Sequence, residues 1–347
     1  MKRFAAVVFV GAMILQVPSW AVVATVDEPP ALIQTFLAWH LSLGAAEVHL
    51  YFDRADDPAA ALCDGLPGVF VTICDDAYWA QTGKPRPTRH QVRQVRNAQH
   101  AYQRTDADWL LHIDADEFLW TDEPVSTCLS SADQTLDAVV APVAERFYDT
   151  GSVASAVTVL EGPFRKPFAE SARQGRALFG PDYDLTLRGL TGHVQGKSFV
   201  RSARKLNMSI HRPGGTDLRI ETCAGITLLH FDGLTSLHWV YKLLRKADAF
   251  LNRAGIPPSP HRQRQIDAVL RTASGALGVH DRLKCLSPEI EAQLRAENLY
   301  ISPRFDPLAS VARLFPEQQI DLSMQAMDAW LWHEKPDLLR SFGLKPR

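Results

Sequence analysis

Through the first third of the chain, continuous apolar runs alternate with helically spaced ones. Ala21–Val26 is a run suited to a strand, and it gives way to Asp27-Glu-Pro-Pro30. From Ala31 to Leu43 the apolar positions Leu32, Phe36, Leu37, Trp39 and Leu43 recur at helical spacing, and Gly44 stops the helix. Glu47–Phe52 reads as a second strand, closed by Asp53–Pro58, whose acids and proline suit a loop. Val69–Ile73 is a third strand, Lys84–Thr88 a proline-stiffened loop, and His90–Arg104 a helix with Val92, Val95 and Ala98 apolar. Trp109–Ile113 is again apolar, and it runs into Asp114, Asp116 and Glu117. Strand, helix, strand, loop, helix, strand predicts an α/β fold with a mostly parallel sheet flanked by helices.

Beyond Trp120 the pattern changes. Ala138–Val143, Val153–Leu160, Lys197–Arg201 and Ile226–His230 read as extended, Thr235–Ala254 as a helix, and from Pro260 onward the signals are mainly helical, with Trp330 and Trp332 in the last helix. No internal repeat or low-complexity tract interrupts them. The expected organisation is an apolar N-terminal segment at 1–20, an α/β domain at 21–240 and a helical C-terminal region at 241–347.

Composition adds little to this picture. The 347 residues are 46% hydrophobic and 22% charged, with formal charge -2, so a packed core is expected and no nucleic-acid partner. Basic residues cluster locally at 84–104, 197–205 and 242–264. The five cysteines are odd in number and spread out with no CxxC pair, which suits reduced thiols, and no zinc-type Cys/His spacing occurs. Met1-Lys-Arg3 followed by an apolar stretch to Val17 and Ser19-Trp-Ala21 has the form of a secretory signal, in conflict with the cysteines. Read as a peripheral helix, the same segment places the protein in the cytoplasm at the inner face of a membrane; read as a signal or anchor, it sends the chain outward.

The acids after Trp109–Ile113 are the most specific chemical signal. In an extended chain residues i and i+2 point the same way, so Asp114 and Asp116 can converge on one hard cation, Mn²⁺ or Mg²⁺, that bridges to phosphate. Three acids after a buried strand repel one another unless a cation or a basic partner offsets them. On the His90–Arg104 helix, Arg93 and Asn97 lie one turn apart and can face a diphosphate together. Lys197 and Arg201 are candidate phosphate or acceptor contacts. They do not form a P-loop, because Thr191 stands where the first glycine belongs and a strand, not a helix, follows Ser198. An Asp-x-Asp phosphatase reading fails too, since Phe118 stands where that motif has Thr or Val.

Val26-Asp-Glu-Pro29, Phe36-Leu-Ala-Trp-His40, Leu43-Gly44, the Asp53 loop and Trp109–Phe118 together resemble the family-2-like bacterial glycosyltransferases and the related family-ninety-two type. The likeness continues at Gly196–Arg201, His211-Arg-Pro213 and Leu229-His-Phe-Asp232 with Ser236 and Lys242, and so covers most of 21–250. Asp27 departs from it, since relatives commonly have Asn before the Glu. The resemblance implies a GT-A fold that binds a nucleotide sugar, a cation on the Asp-x-Asp motif, and a nucleoside held by the Asp53 loop, with Asp27 and Glu28 beside it. It also makes His230, and after it His211, a candidate third metal ligand.

The expectation is therefore a metal-dependent, hexosyltransferase-like enzyme that moves a sugar from a nucleotide sugar to a glycan or other hydroxyl acceptor in surface polysaccharide or glycan synthesis. Asp232 is the candidate base toward the acceptor, and Glu117 a candidate to orient the acceptor or the metal. A metal-dependent phosphohydrolase using the same acids, or a glycan-binding module that has kept the fold without turnover, are the competing expectations.

Overall fold

The computed structural model describes residues 17–149, 158–169, 173–253, 257–271 and 275–346. The signal-like segment lies outside them as far as residue 16, and Trp20 already begins the first strand. Strands β1 (Trp20–Val26), β2 (Glu47–Phe52), β3 (Val69–Ile73) and β4 (Trp109–His112) are parallel and lie in the order β3-β2-β1-β4. Their apolar runs are buried as a central parallel sheet requires, and every residue of β1 is buried. Helix α1 (Pro30–Ser42) starts on a proline that needs no N–H partner there, and it is buried from Leu32 to His40. Helix α2 (His90–Tyr102) carries the chain back toward β4.

The chain moves outward from β1 to β2 and β3, then returns to the other side of β1 with β4. That reversal makes a topological switch point between β1 and β4, and open parallel sheets bind ligands in the crevice at the carboxyl ends of such strands. Asp27 and Glu28 follow β1, Asp53 follows β2, and Asp114 follows β4.

After β4 the acid run is a turn rather than more strand. The Glu117 N–H donates to the Asp114 carbonyl at 3.0 Å, and β5 (Glu117–Thr121) starts there. The stretch read as one strand at Ala138–Val143 is also divided. Pro142 has no N–H to continue a ladder, so β6 (Ala138–Ala141) joins the main sheet and β7 (Val143–Arg146) a second one. Between Val153 and Leu160, residues 153–157 lie outside the described residues and 158–160 form a turn rather than a strand.

The main sheet is completed by β10 (Lys197–Arg201), antiparallel to β4 and β6, and by β11 (Ile220–Thr222). The second sheet pairs β12 (Ile226–His230) with β5 and β7, and β7 with β9 (Phe164–Arg165) and then β14 (Tyr300–Ile301). A short pair joins β8 (Tyr148–Asp149) to β13 (Cys285–Leu286). The C-terminal region is helical: α3 (Ser236–Arg253), α4 (Pro260–Arg271), α5 (Ala276–Lys284), α6 (Pro307–Leu314) and α7 (Met324–Glu334) are its main elements. Helix α6 packs on α1, while α3, α4 and α7 reach over the carboxyl edge of the main sheet. All five cysteines are free, and no helix among the described residues is long and apolar enough to cross a membrane.

Candidate active site

The strand ends and the C-terminal helices enclose a cleft with two adjoining halves of about 560 and 540 Å³. One half lies beside Asp53 and the start of α2; the other lies beside Asp114, Asp116, His193, His211 and His230. Asp27, Tyr241, Arg245, Lys246 and Arg262 line both.

On the sheet side Asp27, Asp53, Asp114, Asp116 and Glu117 each have a basic partner. Asp53, 6% exposed, takes Arg93 Nη2 at 2.6 Å and Arg86 Nη2 at 3.1 Å. Burial alone would raise its pKa, but hydrogen bonds from His90 and Arg93 and the Arg93 charge hold it well below the usual range. Asp27 pairs with Arg54 at 3.0 Å and with Lys335, from the segment after α7, at 3.0 Å. The Asp27 N–H donates to Glu28 Oε2 at 2.8 Å. Burial, with Asp116 and Asp27 nearby, pushes the Glu28 carboxyl up to about 8.

The turn after β4 parts the two aspartates. Asp114 accepts from Gln94 and from Lys197 Nζ at 3.1 Å, whereas Asp116 accepts from Lys242 Nζ at 2.6 Å. The chain is thus not extended between Asp114 and Asp116 as the spacing argument assumed: it reverses between β4 and β5, and each carboxylate has its own ammonium. Lys197, fully buried, also lies 3.1 Å from Glu117 Oε2, and its ammonium is held above its usual pKa by those two acids in spite of burial. Burial would raise Glu117 as well, but Lys197 and the hydrogen-bonded His193 together outweigh it and keep the carboxyl down at about 2. The left-handed turn at Gly196, with φ 65°, brings Lys197 in; a side chain there would lie 2.2 Å from the Ala141 carbonyl.

The donors that do converge are Glu117, His193 and His230, whose ligand atoms all lie within 4.8 Å of one another. His193 Nε2 is 2.8 Å from Glu117 Oε1, and the His193 ring is 4.9 Å from that of His230 and 4.4 Å from that of His211. Burial and the neighbouring His193 keep both His211 and His230 below their usual pKa, His211 at about 4, so both rings are neutral at pH 7. The buried Nδ1 atoms of His193 and His230 have no hydrogen-bond partner among the described residues. Gly192 keeps the corner open, since a Cβ there would meet His230 Cε1 at 2.6 Å and Glu145 Oε2 at 2.8 Å. Two imidazoles and a carboxylate fit a divalent transition metal such as Mn²⁺ or Zn²⁺ better than Mg²⁺, which prefers oxygen.

Asp232 lines the same half, 1% exposed. It accepts from Arg262 at 2.7 Å, Thr191 at 2.7 Å and Trp239 Nε1 at 3.2 Å, with Lys242 at 3.6 Å. Burial is outweighed by Arg262, Lys242 and Lys284, so its pKa falls well below the usual carboxylate range. Those contacts make Asp232 a poor proton acceptor and a good anchor for Arg262, in contrast with the role of base that the sequence suggests.

Two other expected contacts point elsewhere. Asn97 donates to Thr25 Oγ1 at 2.9 Å and accepts from Tyr78 at 2.8 Å, packed between α2 and the sheet; Gln94, one turn earlier, reaches the acids in its place. Arg201 ends β10 opposite to Lys197, with its guanidinium 4.1 Å from the Trp109 ring centroid and its N–H groups on the Leu136 and Asp133 carbonyls. Five strand residues span about 13 Å, too far for both basic groups to serve one ligand group.

His193, Gln94 and Lys335 are site residues that the sequence pattern leaves unmarked, whereas Arg86, Arg245, Lys246 and Arg262 fall within its basic clusters without being singled out. His193 carried a weak signal, standing three residues before the Gly196-Lys197 turn.

No protein-family model matches the chain, and no curated protein does. Among solved structures, glucosyl-3-phosphoglycerate synthase from Mycobacterium tuberculosis in complex with phosphoglyceric acid is similar at 16% identity over 53% of this chain and 57% of that one, with a TM-score of 0.28. The chain thus spans a little over half the length of that synthase. Its complex with Mn²⁺, uridine-diphosphate-glucose and phosphoglyceric acid aligns at 18% identity over 53% and 57%, with a TM-score of 0.28. S. aureus TarS 1-349 aligns at 12% identity over 93% of this chain and 90% of that one, with a TM-score of 0.34.

Proposed function

We propose that the protein is a glycosyltransferase of GT-A type that takes a nucleotide sugar in this cleft and passes the sugar to a hydroxyl acceptor. The observation that carries the reading is the convergence of Asp27, Asp53, Asp114, Asp116 and Glu117 with basic partners at the switch point of a parallel sheet. Of the motifs that resemble the family-2-like enzymes, Asp27-Glu28, Asp53, Asp114, Asp116, His211, His230, Asp232 and Lys242 line the cleft.

In this reading the nucleoside lies beside Asp53 and Asp27, and the sugar lies toward Asp116 and His230. Glu117, His193 and His230 would hold a divalent cation, which when bound offsets the charge of the departing diphosphate. Lys242, poised by Asp116 and Asp232, adds fixed positive charge to that side of the cleft. Lys197 keeps Asp114 and Glu117 ionised and in place. Trp330, from α7, closes the acceptor side. We place the enzyme in glycan or surface-polysaccharide assembly, at the inner face of the membrane.

A panel of nucleotide sugars read by thermal unfolding, with and without Mn²⁺, tests the reading, because a ligand that binds only the folded chain raises its stability by mass action. The expected result is a shift with one nucleotide sugar, followed by nucleoside diphosphate release only when an acceptor is added. Phosphate release without acceptor would mean a hydrolase, and binding with no turnover a glycan-binding module.

A further inference from the structure

Arg245 and Lys246 are successive residues of α3, and both line each half of the cleft. Their neighbours are already committed, Lys242 to Asp116 at 2.6 Å and Arg262 to Asp232 at 2.7 Å. Neither Arg245 nor Lys246 forms an ion pair with a described residue; Arg245 leans on Tyr241, 5.7 Å from the ring centroid. Across the gap stand His90 and Gln91, in the first turn of α2. A ligand with its nucleoside beside Asp53 and its sugar beside Asp116 must carry its phosphates across this junction.

We propose that Arg245 and Lys246 form a seat for a diphosphate group that works without a metal ion. The inference rests on the nucleotide-sugar reading for the identity of the ligand, but not for the anion site itself. Burial and the charges of Arg262, Lys242 and Arg245 push the Lys246 ammonium down to about 7, as befits a cation placed among cations. An arriving diphosphate relieves that repulsion, whereas a neutral ligand leaves it in place. The metal corner at Glu117, His193 and His230 is a separate set of donors, so the two contributions to phosphate binding can be measured apart.

The experiment is calorimetric titration of the whole chain with inorganic pyrophosphate in EDTA, for the wild type and for Arg245→Met, Lys246→Met and the double variant, each first checked by thermal unfolding. The wild type is expected to bind. Each substitution is expected to weaken binding by about tenfold or more, as loss of a charge-assisted hydrogen bond does, and Lys246→Arg to retain it. Should the double variant fail to fold, Lys246→Met beside Lys246→Arg decides by the same criterion. No binding by the wild type in EDTA, or unchanged binding in the variants, overturns the seat. Titration with the mono- and diphosphate of each nucleoside separates this from the wider reading. Pyrophosphate binding that depends on Lys246 while no nucleotide binds supports the seat and removes the nucleotide-sugar assignment.

Discussion

The two walls of the cleft are built differently. On the sheet side, Asp27 and Asp53 follow directly on strands, Asp114 and Asp116 stand in the turn after β4, and Glu117 opens β5, so the backbone of a buried sheet fixes where they stand. On the helical side, Lys242, Arg245, Lys246, Arg262 and Lys335 come from three separate parts of the C-terminal region; Lys242 and Lys335 reach Asp116 and Asp27 across 126 and 308 residues of chain, and Arg262 reaches Asp232 across 30. The acids are thus placed locally and the cations by tertiary packing. If so, removing a cation embedded in the sheet should act on folding, and removing one from the helices should act on binding.

The largest effect is expected at Lys197, which the main sheet itself supplies. Lys197→Met keeps the length of the side chain but leaves Asp114 and Glu117 without their shared ammonium, and breaking a buried pair in this way costs about 3–5 kcal/mol. Urea unfolding measures it. Lys242→Met, from the helical wall and 18% exposed at its side chain, should cost clearly less while weakening nucleotide binding. Equal losses of stability would erase the contrast between the walls.

Next in size is the proposed metal corner, where the start of β5, the end of β12 and the loop that carries His193 meet. His193→Ala should weaken Mn²⁺ binding at least about tenfold, read by the paramagnetic resonance of free Mn²⁺, whereas Asp114→Asn should leave most of it. Gly192→Ala should weaken it too, since the added methyl displaces His230, and should cost about 1–3 kcal/mol of stability. The reverse ranking, with Asp114 dominant, would restore the expectation that the Asp-x-Asp pair holds the ion.

That ranking also marks how far the sequence is legible. The β1–β4 rhythm and the acids at its strand ends are periodic, local features, and the structure has them where the pattern predicts. The helical character of the C-terminal region is legible for the same reason. What a linear pattern does not carry is the reversal of the chain between Asp114 and Glu117, the switch of sheets at Pro142, and the identity of each partner. Asn97 shows this well: its spacing from Arg93 is right for a shared helical face, but Thr25 of the sheet beneath α2 and Tyr78 of the short helix after β3 claim it. His193 belongs to no regular element, so no periodicity announces it.

Asp53 gives an intermediate effect. Asp53→Asn loses the charge that gathers Arg93 and Arg86, and should weaken nucleoside monophosphate binding, without metal, by a few-fold to tenfold. It should also change the acid limb of stability. The carboxyl is held below its unfolded value near 4, so its contribution is fully present above that pH and is lost as pH falls through the lower folded value. The stability gap between wild type and variant should be widest above pH 4 and narrow on acidification. A gap that is constant from pH 6 to pH 3 would mean that the ion pair is not its source.

The smallest effect is expected where the helical wall touches the sheet at its rim. Lys335 Nζ lies 3.0 Å from Asp27 Oδ2, with side chains 18% and 20% exposed, and Arg54 serves the same acid from the other side. Water and salt screen a pair of this exposure, and Arg54 remains when Lys335 is removed, so Lys335→Ala should cost no more than about 1 kcal/mol. Its binding effect should be equally modest, a few-fold at most, and should fade as salt is raised past the range where exposed charges are screened. A loss as large as that of Lys197→Met would show that the segment after α7 clamps the sheet edge shut, and that the helical wall sets the fold as well as the ligand site.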